Sequence, residues 1–184
     1  MADLITLDEV KPWLNIDLPN HNSDTLLSSL ISAASGWVSN WINRDILSAS
    51  YTVYLDGSGS NRQMLGDYPI TAVSSLNING VSIPSAVGFN DNGFRFDDKS
   101  IMLKGYRFER GVSNIQISYT AGYATVPQDL KQVTIELVGY KFKEMTRIGL
   151  SQKNIAGEVT AFDMKDLKEH SKNLLNNYNK VIPV

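Results

Sequence analysis

Apolar and polar positions change their period twice along this chain. From Asp24 to Asn43, at about 100° per residue, Leu26, Leu27, Leu30, Ile31, Ala34, Trp37, Val38, Trp41 and Ile42 fall on one half of a helix. The other half carries Ser28, Ser29, Ser32, Ser35, Gly36, Ser39 and Asn40. A solvated helix face normally carries Lys and Glu, whereas this one is small and uncharged and would let another backbone come close. Ahead of it, Thr6 and Glu9 have the spacing of a capping box, which predicts a short helix to about Asn15, disturbed at Pro12.

Between residues 49 and 123 the period becomes that of strands. YTVYL, AVSSLNI, FRF, SIMLKG and NIQISYT are divided by the turn material DGSGSN, NG, NDNG and ERGVSN. Five or six short antiparallel strands are expected, forming a small sandwich or barrel-like sheet. After Pro127 the helical period returns, with Leu130, Val133, Leu137, Val138, Tyr140 and Phe142 on an arc too wide for one contact surface. Gly149 is expected to end that helix. SQKNIAGEVTAF then reads as a polar segment, and Asp163 as the cap of a last helix running to about Tyr178.

Helices and strands are therefore segregated, and the fold class expected is α+β. N-terminal helices (1–48) and C-terminal helices with a tail (124–184) close into one bundle, with a β-rich insertion (49–123) between them. The joint SYTAGYATVPQDLKQ, Ser118 to Gln132, has architectural residues at its hinge. Gly122 can end the strand, with Tyr123 after it. Pro127 sets the first helical turn, and Asp129 places a negative charge at the positive helix end. A nucleophile elbow is excluded there, because the residues are Ala121, Gly122, Tyr123, Ala124 and Thr125 instead of GxSxG.

Composition narrows the chemistry. The 184 residues contain no cysteine, which removes disulfides, thiolate metal sites and cysteine nucleophiles. The N-terminus lacks the pattern of a signal peptide and no apolar run is long enough to span a bilayer, so synthesis in a cytoplasm and no membrane partner are expected. Net charge is −2, and nothing in the sequence forms a basic stripe for gripping phosphates. Residues 1–48 carry six acids against two bases, and residues 123–184 seven against nine. Such ends of opposite sign suit subunits packing one end against the other.

His21 and His170 lack metal-ligand spacing. Asn90, Asp91, Asn92 and Gly93, followed by Asp97 and Asp98, lack the spacing of a calcium loop and read as a hairpin turn. Gly57 to Ser60 lacks the GK[ST] of a phosphate loop. Asp56 with Asp67, or Asp97 with Glu109, would be the carboxylate pairs of a hydrolase. A second alternative is a carbohydrate- or host-surface-binding sandwich with Tyr51, Tyr54, Tyr68, Tyr106 and Phe108 as a stacking platform. No catalytic residue, cofactor or metal is expected.

ITLDEVKPWLNID, the LLSSLISAASGWVSNWINRDI helix, the β excursion and SYTAGYATVPQDLKQVTIELVGYKF together resemble the head-tail connector proteins of tailed bacteriophages. These are also called adaptor or head-completion proteins. The resemblance runs from Leu4 to about Thr146. It implies a non-enzymatic virion protein of the neck: a homo-oligomeric ring, usually of twelve copies, docked beneath the portal protein. Such a ring passes double-stranded DNA without binding it specifically and offers a surface to a stopper or tail-completion protein. Another neck or tail-completion role is the alternative within that setting, and the two-helix start followed by VPQDL favours the adaptor. On this reading Ser28, Ser32, Gly36, Ser39, Val133, Leu137 and Tyr140 are the expected subunit interface. Leu174, Leu175, Tyr178 and Val181, in the terminal LLNNYNKV, are the expected contact with portal or tail proteins.

Overall fold

The computed structural model describes residues 3–145, 152–155, 158–161 and 169–180. In chain order the elements are α1 (Leu7–Trp13), α2 (Asp24–Ile42), β1 (Ala49–Gly57), β2 (Arg62–Met64), β3 (Ile70–Ile78), β4 (Val81–Ser82), β5 (Gly93–Phe96), β6 (Ser100–Lys104), β7 (Gly111–Ala121), α3 (Gln128–Met145), β8 (Gln152–Ile155), β9 (Glu158–Ala161) and α4 (Glu169–Asn176). They form two compact units, Met1–Asn43 with Val126–Asn179, and Arg44–Thr125 with Lys180–Val184. The class is α+β, with antiparallel sheets and no closed barrel.

The first unit is helical. Glu9 accepts the Thr6 backbone N–H at 2.8 Å, which starts α1. Pro12, lacking an N–H, lies inside α1, and the helix stops after Trp13 with Asn15 at φ 56°. In α2 the buried residues Leu27, Ile31, Ala34, Val38 and Ile42 recur every three or four positions. The helix ends on Asn43 in the left-handed conformation, which asparagine tolerates better than most residues. Much of the wide apolar arc of α3 is covered from within its own unit, where α1, α2 and α4 pack on it. Leu130, Val133, Leu137 and Val138 are at most 1% exposed.

The second unit is a two-layer β structure. One sheet has the order β1-β7-β3-β4 and the other β2-β6-β5. The register sets Tyr51 opposite Tyr119, Val53 opposite Ile117 and Leu55 opposite Ile115. On the other flank Leu76 faces Ile117 and Ile78 faces Ile115. Alternation then sends Ile115, Ile117 and Tyr119 into a core shared with Leu65, Phe94, Ile101, Leu103 and Phe108. Arg44 is buried in this unit. It donates to the Tyr68 carbonyl, and its guanidinium lies 3.7 Å over the Tyr68 ring, with the Lys99 ammonium at 4.5 Å from the same ring.

The sequence reading missed three features. The strands β2 and β4 are three and two residues long, too short for periodicity to register. SQKNIAGEVTAF, expected as an irregular polar segment, contains the antiparallel pair β8–β9, with Gln152 opposite Ala161 and Ile155 opposite Glu158. The expected helix ends at Gly149 and Asp163 lie outside the described residues.

Candidate interaction surfaces

Every acidic side chain weighed for catalysis has a local structural partner. Asp97 accepts the backbone N–H groups of Lys99 at 2.9 Å and Ser100 at 2.7 Å. Those amides, Lys99 first, hold its carboxyl below the usual range. Asp56 accepts the Ser113 N–H at 2.6 Å, Asp91 the Gly88 N–H at 2.6 Å, and Glu109 the Asn79 side-chain amide at 2.5 Å. Asp67 lies 3.5 Å from the Tyr119 hydroxyl and 3.5 Å from the Lys180 ammonium. Burial, reinforced by the Asp67 charge, pushes the Tyr119 phenol well above its ordinary value. These groups close turns and pin strand ends. Among the described residues no group of three or more His, Asp or Glu side chains is placed to hold a metal ion.

The aromatic platform does not assemble either. Phe108 is fully buried and Tyr68 is 6% exposed between its two cations, while Tyr51 stacks on Tyr119 with ring centroids 5.5 Å apart. Only Tyr54 and Tyr106 are substantially exposed.

The small-residue face of α2 is divided. Ser35 is buried and accepts the Leu4 N–H at 3.0 Å, so the chain's own N-terminal segment lies against it. Ser32 is exposed and donates to Asp3 at 2.9 Å. Ser28 is exposed and Gly36 half-buried, whereas Ser39 is 6% exposed. The expected interface therefore needs correction on three residues. Ser39, Val133 and Leu137 are spent inside their own unit, and a side chain already enclosed there has no surface to offer a neighbour. Ser28, Ser32, Gly36 and the half-buried Tyr140 retain some.

At the joint, Gly122 has φ +112°, and a Cβ on it would come 2.6 Å from the Leu47 carbonyl oxygen. The close approach holds because the Gly122 N–H donates to Pro69, and Tyr123 exchanges backbone bonds with Ile46 and Ser48. The Pro127 carbonyl accepts the Lys131 N–H at 3.0 Å, the opening bond of α3. Asp129 accepts the Leu130 N–H at 3.0 Å and the Tyr178 hydroxyl at 2.6 Å.

That last bond changes the reading of the C-terminal residues. Tyr178 is tied to the start of α3, Leu175 is fully buried, and Leu174 is half-buried. Leu175 is thus spent inside the helical unit, whereas Leu174 and Tyr178 keep some surface for the expected contact with portal or tail proteins. Val181 lies outside the described residues.

The outer face of the β1-β7-β3 sheet went unremarked in the sequence. Thr52 and Ser118 hydroxyls lie 3.1 Å apart, Gln116 donates to the Tyr54 hydroxyl at 3.1 Å, and Asn77 donates to Gln116 at 3.3 Å. The result is a flat ladder of hydroxyls and amides without a charge among them. It was legible in principle, since Ser50, Thr52 and Tyr54 alternate with Tyr51, Val53 and Leu55.

A model of the head completion protein family matches residues 3–181. The chain belongs to that family. Two solved structures share the fold of this head completion protein over most of its length. One is a chain of the neck of an empty GTA particle computed with C6 symmetry: 20% identity, TM-score 0.59, covering 97% of this chain and 91% of that one. The other comes from the virion of a native gene transfer agent (GTA) particle, with 16% identity, TM-score 0.52, and 98% and 95% coverage. At these identities the likeness is one of fold. A comparison with curated proteins finds no match.

Proposed function

We propose that this head completion protein is a structural component of the virion neck, and that it assembles as a closed ring beneath the portal. The ring, of twelve copies, extends the DNA channel and offers a docking surface to a stopper or tail-completion protein. The observation that carries this reading is the family match, which spans residues 3–181 and so takes in both units. The likeness of fold to a chain from a particle neck computed with C6 symmetry supports it, because such rotational order is what a six- or twelve-membered ring obeys.

Physical chemistry is consistent with a conduit that performs no reaction. The acids considered for catalysis are occupied by backbone amides and side-chain donors. The net charge of −2 and an outer sheet face of hydroxyls and amides, on which β1 carries Asp56 and no base, suit a conduit that does not hold a polyanion with salt-dependent affinity. Ser28, Ser32, Gly36 and Tyr140 remain the candidate helical contact with a neighbouring copy. Leu174, Tyr178 and Val181 are kept as the candidate contact with portal or tail.

The test is genetic. Particles made without this protein should accumulate as DNA-filled or leaking heads that lack tails. Tailed, infective particles forming in its absence would refute the reading.

A further inference from the structure

Among the described residues, strand β1 is the outermost strand of its sheet, paired on one side only, with β7. Native edge strands are usually shortened, bulged, or guarded by Lys or Pro against pairing with another chain. β1 has none of these guards along most of its length. It runs for nine residues, ASYTVYLDG, without Lys, Arg or Pro, and its irregularity comes only between Leu55 and Gly57. Its one charged residue, Asp56, is bonded to the Ser113 N–H at that same end.

The core is also open along this edge. Ile115 and Ile117 on β7 are fully buried and Tyr119 nearly so, whereas their partners Leu55, Val53 and Tyr51 on β1 are only half-buried although they pack on the same core. A further strand beside β1 would pair its outward N–H and C=O groups and cover those three side chains together.

The chain itself contains a segment with the opposite need. β8 and β9 form a sheet of two strands. A two-stranded hairpin is marginal in water, and a third strand or a packed face is what stabilises it. Along β9, Val159 and Ala161 alternate with Glu158 and Thr160, the same apolar-polar period as Tyr51 to Tyr54 on β1.

We infer that β9 of one copy adds to the β1 edge of the next copy, joining neighbours by β-augmentation. The inference rests on the ring proposed above and names one of its contacts. Two different surfaces of the chain meet, so the contact is head-to-tail. Repeated around an axis it closes a ring, whereas pairing β1 with β1 would stop at a dimer.

The absence of native cysteine makes the test direct, because directly opposed strand residues lie within disulfide reach. In the full-length chain, each residue from Ser50 to Leu55 is replaced in turn by cysteine together with Thr160→Cys. Assembled necks are then oxidised and run on non-reducing gels, with electron microscopy of the same samples.

At least one pair should give a ladder of covalent oligomers beyond the dimer, while each single-cysteine control stops at the dimer. A ring seen by microscopy with no ladder from any pair overturns the inference and leaves the ring standing. A fast-migrating internally linked monomer as the sole product also overturns it. Neither ring nor ladder overturns both. As a second measurement, residues 152–161 are replaced by a Gly/Ser linker of equal length. Rings should fail to form while the β unit keeps its thermal transition, and unchanged rings would count against the contact.

Discussion

Gly122 and Glu9 show how single residues hold this protein together and where it can be broken. At Gly122, φ of +112° and the 2.6 Å approach to the Leu47 oxygen leave no space for a side chain. Gly122→Ala should cost roughly 1–3 kcal/mol, visible as a lower urea midpoint. An unchanged midpoint would mean that the joint relaxes. Glu9 accepts the Lys131 ammonium at 2.6 Å, and that bond, ahead of the helix-start amide, holds its carboxyl below the ordinary value of 4.5. A depressed carboxylate stabilises the fold above that ordinary value, and the contribution drains away as pH falls through the lower folded value. Asp24, depressed by Lys11 first and His21 second, acts in the same direction. Thermal stability should therefore decline below about pH 4.5. Glu9→Gln, which keeps the cap geometry, should flatten part of that decline and cost under about 1 kcal/mol at neutral pH, since both partners keep contact with water. Of these residues, the capping box and the turn glycine were legible from spacing. The buried Lys11, 2.7 Å from Asp24 and 3.0 Å from the Leu18 carbonyl, was not. Nothing local distinguishes a lysine whose stem and head are enclosed by distant chain from one in water.

Elements were read well where their period is long. The apolar seam of α2 repeats over 19 residues and could not be mistaken, whereas β4 has only two residues for a pattern to act on. The wide arc of α3 was read correctly as needing cover on more than one side. What periodicity could not say is who supplies it, and the answer is α1, α2 and α4 of the same unit. This distinction is testable. Leu137→Ala should destabilise the isolated protein by about 2–5 kcal/mol through a core cavity, measured by chemical denaturation. A substitution that left the monomer's stability intact and blocked assembly alone would restore Leu137 to an interface. Gly36 makes the opposite prediction. It is half-buried on the exposed side of α2, so Gly36→Trp should impair ring formation, followed by mass photometry, with the helical circular dichroism of the protomer retained. Unchanged oligomers would remove α2 from the subunit contact. The pair β8–β9 was missed because each strand has only four residues, too few for an alternation to stand out from the polar segment around it.

At the scale of the whole molecule, the chain forms two compact units. The helical unit joins Met1–Asn43 to Val126–Asn179, and Arg44–Thr125 of the β unit lies between them in sequence. Among the described residues, one unit presents a partly small-residue helix face, and the other a strand edge beside half-buried core residues. Under the ring proposed above, both features would be covered by neighbouring copies, and the family match spans residues 3–181 and so takes in both units. Among the described residues, the acids weighed for catalysis are bonded to backbone amides and side-chain donors. The most direct test is electron microscopy of the neck in purified particles, with this chain fitted into the density. The account predicts repeated copies around the DNA channel between portal and tail, each touching the next. A single copy per particle, or density for this chain placed away from the neck, would contradict it.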